Sequence, residues 1–250
     1  TVALALANTF FVLQCLLGCR PPGRIVVTAS DRGPAAILIP AHNEEATIGH
    51  VINSLKPQML KYDRLIVVAD NCSDETASVA ADAGAEVVIR HDEHRRGKAY
   101  ALHAGLQSIS GEQQPVVVMI DADCIVAPGA LHHLITEAMS KGRPVQGCYL
   151  MVAPSSRNAH DRLSEFAFLI KNRVRPLGLS RLGLACQLTG SGMAFPYAFL
   201  SQVNFQHGHL VEDIILGIEF ASIGLPPCYC DAALLTSEFP LSKAGKRSQR

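Results

Sequence analysis

Residues 116–129, VVVMIDADCIVAPG, carry two aspartates, Asp121 and Asp123, one residue apart at the end of an apolar run. In extended backbone, residues i and i+2 project to the same side, so both carboxylates can face one ligand. Magnesium and manganese take oxygen ligands, commonly one or two carboxylates completed by substrate phosphates. The pair is chemically fit to hold Mg2+ or Mn2+ with a diphosphate, although D-x-D alone describes a solvated turn equally well. It has company: Ala41-His42-Asn43-Glu44, Asp70-Asn71 and Arg90-His91-Asp92 also follow apolar runs.

Those runs read as strands over 35–40, 64–70, 85–90 and 115–121. Helices are expected between and after them over 43–55, 74–84, 98–108 and 128–142, the last opening on Pro and closing on Gly. Short strands alternating with helices imply an α/β fold with a doubly wound, mostly parallel sheet and helices on both faces. The second half is less regular. A basic helix over 158–174 precedes TGSGMAFP, then come a helix through VEDIILGIEFASIG and a last strand over 228–235. In open parallel sheets ligands bind beyond the carboxyl ends of the strands. The four polar clusters would then share one edge, as a metal–nucleotide site requires.

The 250 residues can bury a full core, and a formal net charge of +0 provides no global field for nucleic acid. The absence of Trp also argues against a base-stacking nucleic-acid binder. Eight cysteines without a C-x-x-C read as small buried hydrophobes in a reducing compartment. Residues 1–19 hold no charge and approach the ~20 residues of a membrane span. With no initiator Met, the chain is expected to begin inside that segment. Arg20, Arg24 and Arg32 on its C-terminal side would leave a linker over 20–33 and a catalytic domain over 34–250 on the cytoplasmic face of the cell membrane.

Several motifs fail. Gly97-Lys98 is no Walker A loop, because Asp92 and Ala99 stand where Gly and Ser or Thr are needed. Gly190-Ser191-Gly192 lacks the third glycine of a dinucleotide fingerprint, Phe195 standing there, and no G-x-S-x-G occurs. His132-His133 and His207/His209 lack companion zinc ligands.

Taken in order, ILIPAHNEEATI, VVADNCSDET, RRGKAYAL, VMIDADCIV, the GSG at 190–192 and VEDIILG resemble the family 2 glycosyltransferases, inverting enzymes that include cellulose, chitin and hyaluronan synthases. The resemblance runs from Ala35 to Arg250 and implies a GT-A fold. It implies that Pro40, Ala41, Asn43 and Glu44 line the nucleotide, that Asp70 bonds the base, most often uracil, and that Lys98 lies near the phosphates. Asp121, with Ala122 between the two aspartates, would contact the ribose and metal region, and Asp123 would ligate Mg2+ or Mn2+. Gly190, Ser191 and Gly192 would form a loop near the donor sugar and acceptor. In Glu212-Asp213 the aspartate would be the general base, which suits an inverting transfer in which one carboxylate takes the acceptor's proton. The family's Q-x-x-R-W motif would begin at Gln249, next to the final Arg250. The implied partners are a nucleotide-sugar, most often a UDP-sugar, a glycan or lipid-linked acceptor in cell-surface polysaccharide synthesis, and the membrane. Two other readings stand beside this one. A sugar-nucleotide nucleotidyltransferase would open with a Gly-rich basic loop where PAHNEE stands, and a non-catalytic GT-A-like binding domain would be expected to lose its acidic residues.

Overall fold

Branched apolar residues without polar interruption can only form strands covered on both sides, and that is how they are used here. The computed structural model describes residues 2–20, 32–111, 114–153, 159–203 and 211–239. Along the chain lie α1 (Val2–Gly18), β1 (Ala35–Ala41), α2 (Ile48–Leu55), β2 (Arg64–Asp70), α3 (Thr76–Asp82), β3 (Glu86–Arg90), α4 (Lys98–Ser108) and β4 (Val116–Met119). They are followed by β5 (Ile125–Val126), α5 (Ala130–Lys141), β6 (Val145–Val152), α6 (Ala159–Leu169), α7 (Arg175–Arg181), β7 (Met193–Pro196), α8 (Glu212–Ser222) and β8 (Cys228–Glu238). One sheet results, in the order β3-β2-β1-β4-β7-β6-β8-β5. The first four strands are parallel, as expected. The sheet as a whole is mixed: β7 runs against β4 and β6, and β5 runs against β8, while β6 and β8 are parallel.

Alternate residues of β1 feed two cores. Ala35, Ile37 and Ile39 pack with Val51, Leu55, Leu131 and Leu134 of α2 and α5. Ala36 and Leu38 pack on the other face with Leu102 of α4 and Leu216 and Phe220 of α8. Two-sided burial is thus the reason for the continuous apolar runs. All eight cysteines are free, and five of them are buried.

Three expectations need correction. The helix expected from residue 43 starts at Ile48. The acidic stretch before it is a loop, because its amides are held elsewhere: Glu44 N–H donates to Thr76 Oγ1 at 2.8 Å and Glu45 N–H to Asp74 Oδ2 at 3.1 Å. The membrane span expected over 1–19 is not supported. Its helix has 17 residues, about 25 Å at the α-helical rise, and no described helix is long and apolar enough to cross a membrane. Its C-terminal half instead docks on α7. Arg175 donates to the buried Gln14 at 3.2 Å, Arg181 donates to the carbonyls of Leu17 and Arg20, and Gly18 and Gly178 sit where no Cβ would fit. Finally, Arg32, counted as a flanking surface charge, is buried in an ion pair with Asp63, which also accepts the Ala35 N–H at 3.0 Å. Most of the expected linker, 21–31, lies outside the described residues.

Candidate active site

The C-terminal ends of β1, β2 and β4 open onto a cavity of about 400 Å³. Its floor comes from β1 and its extension, Pro40, Ala41, His42 and Glu44; its far wall from Asp70 and Asn71; its near wall from Asp121, Ala122 and Asp123. Arg96, Gly97, Lys98 and Ala101 close it from α4 and the loop before it. Backbone geometry sets these side chains. Asn43 and Asn71 adopt φ of 55° and 52°, turning the chain sharply off β1 and β2. Gly97 has φ 119°, a conformation suited to glycine, and so delivers Lys98 as the first residue of α4.

Asp70 is held by two donors on one oxygen. Arg90 Nη1 approaches Oδ1 at 2.6 Å and Asn71 Nδ2 at 3.0 Å. Among the described residues Oδ2 has no partner, which leaves an anionic acceptor for a ligand N–H such as that of a nucleobase. At the opposite end, Lys98 Nζ binds the Asp121 carboxylate, donates to the Gly190 carbonyl at 2.6 Å, and lies 3.8 Å from Glu212 Oε1. Gly190, with φ 88°, is the point of convergence. A Cβ there would lie 3.5 Å from Lys98 Nζ, 3.6 Å from Asp213 Oδ2 and 4.0 Å from Asp121 Oδ2. The two acidic pairs, 90 residues apart in the chain, meet across one glycine.

Glu44, Asp121 and Asp123 line the cavity and Glu212 and Asp213 adjoin it past Gly190, while among the described residues Lys98 supplies the ammonium and Arg96 the guanidinium of its wall. Burial raises the carboxyls of Glu44, Asp121 and Glu212 above their ordinary values. Neighbouring carboxylates add to it: Asp123 and Asp121 act on Glu44, Asp123 and Asp213 on Asp121, and Asp213 and Asp121 on Glu212. Burial pulls Lys98 the other way, but Asp121 and Glu212 outweigh it and keep the ammonium charged. Two like charges 4 Å apart repel by about 4 kcal/mol at an effective dielectric near 20, so a divalent cation here would relieve a real cost.

The donor set fits such an ion. Ligand atoms of Asp121, Asp123 and Cys124 lie within 4.8 Å of one another. Burial, reinforced by the two aspartates, pushes the Cys124 thiol well up, and Ser191 Oγ donates to its sulfur at 3.0 Å. Of the three, the two carboxylates are the set that hard Mg2+ or Mn2+ prefers over sulfur.

The structure brings most of the anticipated residues together. Pro40, Ala41, Glu44, Asp70, Lys98, Asp121, Ala122 and Asp123 all line the cavity, and Glu212 and Asp213 adjoin it past Gly190. Three anticipated contacts lie elsewhere. Asn43 spends its side chain on the Ser73 N–H at 2.8 Å, locking the two strand-end loops together. Ser191 is fully buried behind the site, where its hydroxyl accepts the Asp121 N–H at 3.1 Å. Gly192 packs so close to Leu235 that a Cβ would come within 2.5 Å of it. Gln249 and Arg250 lie outside the described residues. Arg96 and Ala101 also line the cavity and were not anticipated. His42 and Asn71, anticipated only as members of the strand-end clusters, line it too, and Arg90 of the third cluster holds Asp70.

The sheet carries its acidic cluster at the carboxyl ends of its parallel strands, the edge at which open α/β sheets bind ligands. The family model for Glycosyl transferase family 2 matches residues 36–195, and the chain belongs to that family. Over 200 residues it is 37% identical to 4,4'-diaponeurosporenoate glycosyltransferase of Staphylococcus aureus (strain MRSA252), covering 76% of this chain and 52% of that protein. Over 121 residues it is 35% identical to an uncharacterised glycosyltransferase of Mycobacterium tuberculosis (strain ATCC 25618 / H37Rv), covering 45% and 50%. The chain thus spans about half the length of these curated relatives. Among solved structures, it is similar to glucosyl-3-phosphoglycerate synthase from Mycobacterium tuberculosis. The complex with Mn2+, UDP-glucose and phosphoglyceric acid aligns with a TM-score of 0.60 at 27% identity, covering 89% of this chain and 79% of that one. The complex with Mg2+ and UDP aligns with a TM-score of 0.61 at 26% identity, covering 87% and 78%.

Proposed function

We propose that this chain is the donor-binding and catalytic part of a metal-dependent inverting glycosyltransferase that moves a sugar from a nucleotide-sugar, UDP being the nucleotide, to a glycan or lipid-linked acceptor. The observation that carries the reading is the meeting of Lys98, Asp121 and Asp213 around Gly190, at the end of a cavity whose other end holds Asp70. Asp70 suits the base, and Lys98 suits the diphosphate. Asp213, in the first turn of α8, takes the proton from the acceptor hydroxyl as its oxygen attacks the anomeric carbon. The bond from that carbon to the diphosphate oxygen breaks on the opposite face, and its electron pair leaves with the nucleoside diphosphate. A divalent cation held by Asp121 and Asp123 would offset the charge that develops on this leaving group.

The Mn2+, Mg2+ and UDP present in the related synthase structures support this reading. The acceptor class is the less constrained part. One structure contains phosphoglyceric acid and the staphylococcal relative is named for 4,4'-diaponeurosporenoate, acceptors of very different polarity. A place at the cytoplasmic face of the cell membrane, in cell-surface polysaccharide synthesis, belongs to the same proposal. Its support is α1, whose residues from Val2 to Leu13 are all exposed and carry no charge. The test is a titration of UDP-, GDP- and CDP-sugars with and without Mn2+. The expected result is tightest binding of a UDP-sugar, dependent on Mn2+ and lost in Asp123→Asn. Metal-independent binding, or a preference for another nucleotide, would overturn the corresponding part.

A further inference from the structure

We propose that Ser237 is a positioning residue for Asp123, an inference that rests on reading Asp123 as the cation ligand. Ser237 lies near the end of β8 and is only 2% exposed. Its hydroxyl donates to Asp123 Oδ2 at 2.8 Å, across 114 residues of sequence. A carboxylate's terminal torsion is soft and roughly two-fold, so an unheld aspartate offers either oxygen in a range of orientations. A serine hydroxyl has a single proton. Committed to Oδ2, it fixes the plane of the carboxylate; the other oxygen, Oδ1, meets only the weak donor of the Cys124 thiol, at 3.5 Å, among the described residues.

The backbone agrees with this contact. β5 begins two residues after Asp123 and pairs with β8 at Ile125 and Thr236, immediately before Ser237. One strand therefore holds both the chain and the carboxylate of the D-x-D turn. None of the pocket-lining residues on the nucleotide side does this. Groups that orient a ligand without touching the metal commonly contribute about 10–100-fold to its affinity.

The experiment measures Mn2+ binding in the presence of UDP, by the EPR signal of free Mn2+, on the whole chain. Ser237→Ala should weaken Mn2+ binding about 10-fold; Ser237→Thr, which keeps the hydroxyl, should retain most of the affinity. Asp123→Asn separates the two levels of argument: if it binds Mn2+ like the wild type, the metal-ligand reading itself fails. If Asp123→Asn loses Mn2+ while Ser237→Ala keeps wild-type affinity, the role of Ser237 is overturned. Should Ser237→Ala not fold, Ser237→Cys decides, because it keeps the size and offers only a weak S–H donor: a weakened Mn2+ affinity supports the role of Ser237 and an unchanged one overturns it.

Discussion

The two halves of the sheet reach the same cavity by different means. In β3-β2-β1-β4 every strand runs parallel and its own C-terminal residues enter the site: Asp70 from β2, Glu44 just past β1, Asp121 and Asp123 past β4. The loops between are cross-linked, Asn43 to Ser73, Glu44 to Thr76 and Asn71 to the Asp92 N–H. In β7-β6-β8-β5 the directions are mixed, β6 and β8 parallel with β7 and β5 running against them, and the strands mostly brace the site from behind. Gln146, 1% exposed on β6, donates to the Ser191 carbonyl and accepts the Thr189 N–H, both at 2.8 Å, which holds the loop carrying Gly190. Ser237 on β8 holds Asp123. The first half is built to recognise a ligand, and the second to fix the groups that react with it.

That division is broken most severely at the proton acceptor. Asp213→Asn should lower turnover by about 10²–10⁴-fold, the range that a positioned general base contributes. UDP binding, which depends on the other half, should be unchanged by calorimetry. Parallel loss of both would mean that Asp213 shapes the donor site and that the halves are not separable. Arg90→Ala tests the other side with a smaller effect. The guanidinium holds Asp70 Oδ1 and, through Nη2, Asp92 Oδ2 at 3.2 Å. Hydrogen bonds to charged groups are worth about 1.5–3 kcal/mol, so UDP affinity should fall roughly tenfold while the Mn2+ dependence and turnover at saturating donor persist. A change in turnover alone would assign Arg90 to the chemistry instead.

The same contrast explains what could be read from sequence. Asp70, Asp121, Asp123 and Glu44 were legible because each follows an apolar run, and a parallel sheet brings such positions to one edge; Lys98 came only with the family resemblance. In the second half β8 was legible, expected over 228–235 and found at Cys228–Glu238, but β5, β6 and β7 were not. β7 has four residues and β5 has two, too few to show a period, and β6 interrupts its apolar residues with Gln146 and Gly147. Gln146 looks polar and exposed in sequence, yet it is buried because the Ser191 carbonyl and the Thr189 amide satisfy it. The misplaced start of α2 has the same origin. Glu44 and Glu45 resemble an acidic first turn, but their amides bond to residues about thirty positions later. Ser237 was invisible because its partner is 114 residues away. Local chemistry was readable; cross-sheet chemistry needed the fold.

The smallest expected effect is a slope of stability with pH, and it too divides the halves. Glu44, Asp121 and Glu212, at the junction of the two halves, have carboxyls raised above ordinary values of 4.5, 3.8 and 4.5, burial being the chief cause. A carboxyl raised in the folded state holds its proton better there than in the unfolded chain, so folding takes up protons and stability falls as pH rises through the window above those ordinary values. Glu86 is lowered, chiefly by its Arg64 partner; Asp74 is lowered because desolvation, its largest single influence, is outweighed by several hydrogen bonds, those from Thr76 foremost, and Asp92 is lowered chiefly by the Arg95 amide. These groups keep their stabilising effect above the ordinary values and lose it only as pH falls below them. Between pH 7 and about 5 the raised set alone acts among these carboxyls. The thermal midpoint of the metal-free protein should therefore rise as pH falls across that interval, and Glu212→Gln should reduce the slope. Mn2+ with UDP should flatten it, because the bound cation favours the ionised carboxylates that burial disfavours. A wild-type slope that neither Glu212→Gln nor Mn2+–UDP alters would mean that the titrating groups lie elsewhere. The acidic cluster would then not be the place where the two halves share a charge.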